Sequence, residues 1–219
     1  MTLNDIIASV RDKLDDDEYP SASITSAANW FVNDLYHNVR TRQMETTGTL
    51  SVSTNDTSKA LPTDFQLLLS ARVTSPEVYS LTNKYLKQDE FMERFPGYDT
   101  YDAAKIYAWT DFGGAMRFSA PASGAHTIKI DYLRKPVDMV DGTDVCEVPD
   151  AYDEMVTLGT LARIMERNED YAEASQERAN LAPLMTAFIR NEGRSQIKSG
   201  PTIIKSAFGK GRSRRWEDA

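Results

Sequence analysis

The sequence predicts an α+β protein: a helical bundle built from N- and C-terminal helices, an inserted antiparallel β-sandwich or barrel-like domain, and an extended C-terminal tail. Three observations carry this. Apolar residues recur at helical spacing before residue 40 and again after residue 150, they alternate with polar residues at period two in between, and all regular pattern ends near residue 192. The corresponding units are an N-terminal helical hairpin (1–45), a β-rich domain with a short helix (46–137), C-terminal helices completing the bundle (148–191) and a basic tail (192–219). A chain of 219 residues with 41% hydrophobic content is ordinary for a folded protein. It needs neither metal nor disulfide to hold together.

The first helix is marked by Leu3, Ile6, Ile7, Val10 and Leu14 on one face, with Thr2 and Asp5 spaced as a capping box. It ends in a charged loop, Asp15-Asp16-Asp17-Glu18, closed by Pro20. A longer helix starts near Ser21 or Ser23, with Ile24, Ala27, Ala28, Phe31, Leu35 and Val39 as its buried stripe and Trp30 and Tyr36 beside it. From Thr46 the period changes. Leu50 and Val52 alternate with Thr and Ser, Leu67-Leu68-Leu69 leads to Ala71 and Val73, and residues 78–81 continue as a strand. Residues 84–95 predict a short helix stopped by Pro96-Gly97; residues 104–109, 115–118 and 126–133 predict further strands. Helical periodicity returns at Asp150, where Met155, Val156, Leu158, Leu161, Ala162, Ile164 and Met165 predict a helix buried on most of its girth, broken at Asn168. A last helix spans about residues 170–190, with Ala174, Leu181, Leu184 and Phe188 inward and Pro183 either kinking it or marking its start.

The net charge of −8 conceals an asymmetry. Residues 191–219 hold seven basic and three acidic side chains, a balance of +4, so the other 190 residues hold eighteen basic against thirty acidic, a balance of −12. An acidic body excludes a protein whose whole surface grips nucleic acid, because phosphate neutralisation needs an excess of Lys and Arg. The single cysteine, Cys146, excludes a disulfide framework or a Cys-rich zinc site. The start Met1-Thr2-Leu3-Asn4-Asp5 has no basic segment followed by an apolar one, and no run reaches the roughly 18 apolar residues of a membrane span. Neither secretion nor membrane association is expected.

The motifs that suggest chemistry have structural readings. Asp111-Phe112-Gly113 matches the magnesium motif of kinases without any of its companion motifs, and reads as a hairpin turn. Gly209-Lys210-Gly211-Arg212 lacks the spacing of a phosphate loop, and Tyr19-Pro20 stand where a calcium loop opening at Asp15 requires Asp or Asn and then Gly. His37, His126 and Cys146 fall on separate elements, and carboxylate pairs such as Asp89 with Glu90 and Asp153 with Glu154 arise readily among 33 acidic residues. No catalytic, cofactor or metal site is assigned. The tail is more informative: Ile197, Ile203, Ile204, Phe208 and Trp216 are interleaved with Lys205, Lys210, Arg212, Arg214 and Arg215. Such a segment suits docking on an acidic, partly apolar surface. It also suits phosphate contact with stacking of Trp216 on a base, as in a nucleic-acid-binding module.

The order of several motifs resembles the head-to-tail connector (adaptor) proteins of tailed bacteriophages. Leu61-Pro62-Thr63-Asp64-Phe65 is similar to their "LPxDF" signature. There follow Tyr107, the run Met116-Arg117-Phe118-Ser119-Ala120-Pro121, residues 128–132 leading into Arg134-Lys135-Pro136, then Val148-Pro149-Asp150-Ala151-Tyr152 and Leu158-Gly159-Thr160-Leu161-Ala162. The collinear order spans about residues 20–180, with Thr160 and Leu133 departing from the usual Ala and aromatic residue. The resemblance implies a homo-oligomeric ring, commonly twelve-membered, in the neck of the virion. It would join the portal protein to the tail or a nozzle protein after synthesis in the host cytoplasm. DNA would cross its lumen without sequence-specific binding, and the ten tail residues named above would hold the portal. A structural role of this kind needs no active site. Some connectors of short-tailed phages are lytic, which adds a cell-wall hydrolase as an alternative.

Overall fold

A computed structural model describes residues 1–193. In chain order the helices are α1 (Leu3–Leu14), α2 (Ser21–Asn38), α3 (Gln88–Arg94), α4 (Asp153–Arg167) and α5 (Tyr171–Glu192). The strands are β1 (Glu45–Val52), β2 (Ser58–Ala60), β3 (Phe65–Ser75), β4 (Tyr79–Ser80), β5 (Trp109–Phe112), β6 (Ala115–Phe118) and β7 (His126–Arg134). The α+β class and the terminal helices flanking a β insert are as the periodicity predicts.

Local chemistry sets the helix ends. The Thr2 hydroxyl accepts from the Asp5 N–H at 3.3 Å, while the Asp5 carboxylate accepts from the Thr2 N–H at 2.7 Å, completing the capping box. Asp15 closes α1 in the left-handed region at φ 52°. The acidic loop beyond it is gathered by Arg11, whose guanidinium donates to the Tyr19 carbonyl and the Ser21 hydroxyl. Helix α4 lies at the centre: residues 155–162 are all buried, and it packs against α1, α2 and α5. Gly159 permits the closest approach, since a Cβ there would fall on the Phe31 ring of α2. Helix α5 starts well before Pro183 and runs through it, although the ring removes one backbone donor. Of its expected inner residues, Ala174 and Phe188 are buried and Leu181 and Leu184 only half-buried.

The strands form two antiparallel sheets, one ordered β1-β7-β3-β4 and the other β2-β6-β5. Their facing sides share one core that includes Val73, Ile128, Ile130, Trp109, Met116 and Phe118. This is an open sandwich, and the barrel-like alternative does not hold: the sheets do not close, because β4 pairs only Arg72 and Val73 of the eleven-residue β3. Gly113 and Gly114 both take positive φ between β5 and β6, so the Asp111-Phe112-Gly113 motif does end in a tight hairpin. Residues 104–108, expected as a strand, are irregular. They run beside the β6–β7 connection through an isolated bridge of Ala104 to Ala122 and bonds between Ala108 and Ser119, which do not propagate a ladder. A second core joins α1, α2, α4 and the end of α5. The larger sheet links the two: Leu67, Leu69 and Leu133 pack on the helical core, Phe65, Leu68 and Tyr132 on the sandwich core.

Candidate interaction surfaces

Residues 136–149, which lead from β7 to α4, run as a strap over α1 and α2. The Asn29 side chain imitates a strand pair, donating to the Met139 carbonyl at 2.8 Å and accepting from its N–H at 2.9 Å. Leu3 and Asn4 donate to the carbonyls of Asp144 and Gly142, and Tyr36 donates to the Glu147 carbonyl. Arg134, at the end of β7, pairs with Glu147 at 2.7 Å with both side chains largely shielded. Burial pushes the Tyr36 phenol far above its ordinary range, so that hydroxyl stays a donor. Asp144 stabilises the turn by accepting from the Val140 and Asp141 N–H groups, which hold its carboxyl below the usual range. The outer side is acidic and apolar at once. Residues 136–162 contain seven carboxylates and no Lys or Arg, and Val137, Val140 and Val145 are exposed, Val140 to 78%.

The root of the tail is well fixed. Phe188 is fully buried against Tyr36 and Tyr152, with ring centroids 6.3 and 5.1 Å away, and Asn191 donates to the Tyr152 hydroxyl. Gly193 then forms an antiparallel bridge to Thr41, where the chain passes from α2 toward β1. The tail therefore leaves the body at the seam between its helical and β halves. On the neighbouring face, Arg163 covers the half-exposed Trp30 ring at 4.1 Å, a contact between helices that sequence spacing does not reveal.

A third surface is the open side of the sandwich. Residues 65–70 of β3 lie beyond the reach of β4; two register shifts interrupt them, and the Phe65 N–H donates to the Pro62 carbonyl at 3.0 Å. A groove of about 330 Å³ follows that edge, walled by residues 65–69 on one side and Tyr85, Trp109 and Asp111 on the other. Trp109 is fixed by donation to the Leu81 carbonyl at 2.8 Å, and Tyr85 by its edge contact with Trp109 and a 2.8 Å bond to Asp111.

All the predicted portal-binding residues, Ile197 to Trp216, lie outside the described residues. The groups tested for catalysis do not converge. His37 is exposed on α2, His126 is buried at the start of β7, and Cys146 is buried in the helical core, where desolvation raises its thiol pKa and suppresses thiolate. Glu90 pairs with Arg94 on the surface of α3. Burial raises the carboxyl of Asp153, which lies 3.9 Å from the Met1 amino group rather than facing a cleft. Among the described residues no group of three His, Cys, Asp or Glu side chains is placed to hold a metal ion, and no helix is long and apolar enough to cross a membrane.

What these surfaces define is a body built for contact: an acidic strap, an anchored tail root and an open sheet edge. Residues 1–202 match the model of the SU10 adaptor protein family, a family of phage head-to-tail adaptors, and the chain belongs to it. It is thus a phage adaptor and a virion component, and its family points to a structural role. A comparison with curated proteins finds no match.

Proposed function

We propose that the protein forms a ring in the phage neck that joins the portal to the tail and surrounds the DNA channel. Family membership supports the adaptor role, and the observation that carries the finer reading is the opposition of charge: a −12 body and a +4 tail. An acidic wall lets DNA pass without holding it, whereas a basic, apolar tail suits a portal groove, and many such tails on one ring multiply weak contacts into firm attachment. In this reading residues 1–45 and 148–191 build the ring, residues 46–137 face neighbouring subunits or the tail side, and residues 192–219 hold the portal through Ile197, Ile203, Ile204, Phe208, Trp216 and the basic groups between them. The root at Gly193, pinned to Thr41, starts every tail from the same point. Deleting residues 194–219 tests this. The truncated protein is expected to stay folded and to lose co-sedimentation with portal rings; undiminished co-sedimentation overturns the anchoring role.

A further inference from the structure

We infer that the groove beside β3 is a seat for the chain's own tail: Ile203 lies on its apolar wall and Lys205 reaches Tyr85 and Asp111 on the opposite side. This is a state of the free protein and goes beyond the portal-anchoring reading. The groove suits an apolar segment that carries a cation. Its β3 wall, Phe65 and Leu67 to Leu69, is apolar. Opposite, the half-exposed Tyr85 ring leans on Trp109, and the Asp111 carboxylate accepts from the Tyr85 hydroxyl. A carboxylate beside an exposed aromatic ring attracts an ammonium or guanidinium group. The body supplies none: no Lys or Arg lines the groove, and Asp111 enters no ion pair among the described residues. A volume of about 330 Å³ is small for a ligand site and takes a few side chains rather than a helix.

Charge and reach select the tail as that segment. The body stands at −12 and the tail at +4, and the tail holds the run Ile203-Ile204-Lys205. In an extended segment residues 203 and 205 project to the same side, so an apolar group and a cation arrive together. The tail also starts close by. Gly193 is bridged to Thr41, and Gln66 in the groove wall donates to the carbonyl of Tyr36, near the same end of α2. Five residues of chain lead from Tyr36 to Thr41, at most about 17 Å, whereas residues 194–203 extend to about 33 Å. The tail therefore reaches the groove of its own copy. Tethering sets a local concentration on the order of 1 mM, so an affinity of about 0.1 mM fills the groove roughly ten to one. A partner takes Lys205 only by displacing that contact, which lowers the tail's apparent affinity for weak or wrong partners by the same factor.

Limited trypsin digestion of the unsubstituted full chain reads the seat. In dilute monomer, cleavage after Lys205 relative to cleavage after Lys210 is expected to be about tenfold slower than in a synthetic peptide of residues 194–219. Equal relative rates in protein and peptide overturn the seat. Asp111→Lys is expected to abolish the protection; protection that survives it overturns the pairing of Lys205 with Asp111. Cross-linking then locates the contact. After mild oxidation, Leu68→Cys with Ile203→Cys is expected to form an internal disulfide at least tenfold more than Val140→Cys with Ile203→Cys, whose first cysteine is exposed on the strap. Equal yields show a tail that touches the body without preference and overturn the seat. Links formed only between copies assign the groove to a neighbour's tail and overturn seating within one chain. Asp111→Lys should reduce the internal link, and adding Lys205→Glu should restore it; a yield indifferent to both changes overturns the charge pairing. The digestion needs no cysteine variant to fold. The portal is absent from both experiments, so their failure leaves the anchoring reading untouched.

Discussion

The helical half and the β half of the molecule solve the same burial problem differently. The helical core is sealed by the chain itself, through the strap of residues 136–149 and its bonds to Asn29, Tyr36 and the start of α1. The sandwich core is as apolar but has no such strap, and along the larger sheet β4 covers only Arg72 and Val73 of β3. The contrast teaches where each half's contribution ends. One half is closed over by a long loop of its own; the other leaves a groove beside β3 open.

That contrast can be broken most severely in the sealed half. Phe188→Ala removes a fully buried ring shared by Tyr36 and Tyr152, and a loss of about 3–5 kcal/mol is expected. Urea unfolding monitored by circular dichroism measures it, and a loss under about 1 kcal/mol would show that α5 contributes little to the helical core. A smaller effect is expected from Gly159→Ala, which drives a methyl group into the Phe31 ring and costs about 1–3 kcal/mol by overpacking. The same unfolding experiment checks it, and restoration by an accompanying Phe31→Leu would locate the strain. The smallest effect falls in the β half and depends on pH. Asp131 on β7 accepts from Ser70 of β3 at 2.6 Å and Thr47 of β1 at 2.8 Å, which lowers its carboxyl below the usual value. Stability from a depressed carboxyl is present above its unfolded pKa and lost as pH falls through the folded one. At this partly exposed site about 0.5–1 kcal/mol is expected to disappear below pH ~4. Asp131→Asn should flatten that part of the stability profile; an unchanged profile would assign the acid sensitivity elsewhere.

Much of this fold is legible in the sequence because it is set by local rules. The capping box at Thr2 and Asp5, the apolar girth of α4 and the Gly113-Gly114 turn all depend on neighbours within a few residues. What sequence misses is long-range. Nothing near residue 136 tells that the following loop straps two helices, since its partners, Asn29 and Tyr36, lie more than 100 residues away. Residues 104–108 carry the alternation of a strand but bond to the connection between β6 and β7 instead of joining a sheet, and periodicity cannot report whether a ladder exists. The interaction surfaces divide in the same way. The basic, apolar tail is visible as composition, whereas the open β3 edge follows from β4 being only two residues long, a matter of pairing.

The bridge between Gly193 and Thr41 has a mechanical consequence. Tension on the chain beyond residue 193 enters the body at one point, beside the link between α2 and β1, before it reaches α5. From there it divides, running back along α5 through Phe188 into the helical core and across Thr41 toward the larger sheet. A pull at the tail is therefore shared by both halves of the body, as a load placed at a hinge pin is shared by both plates.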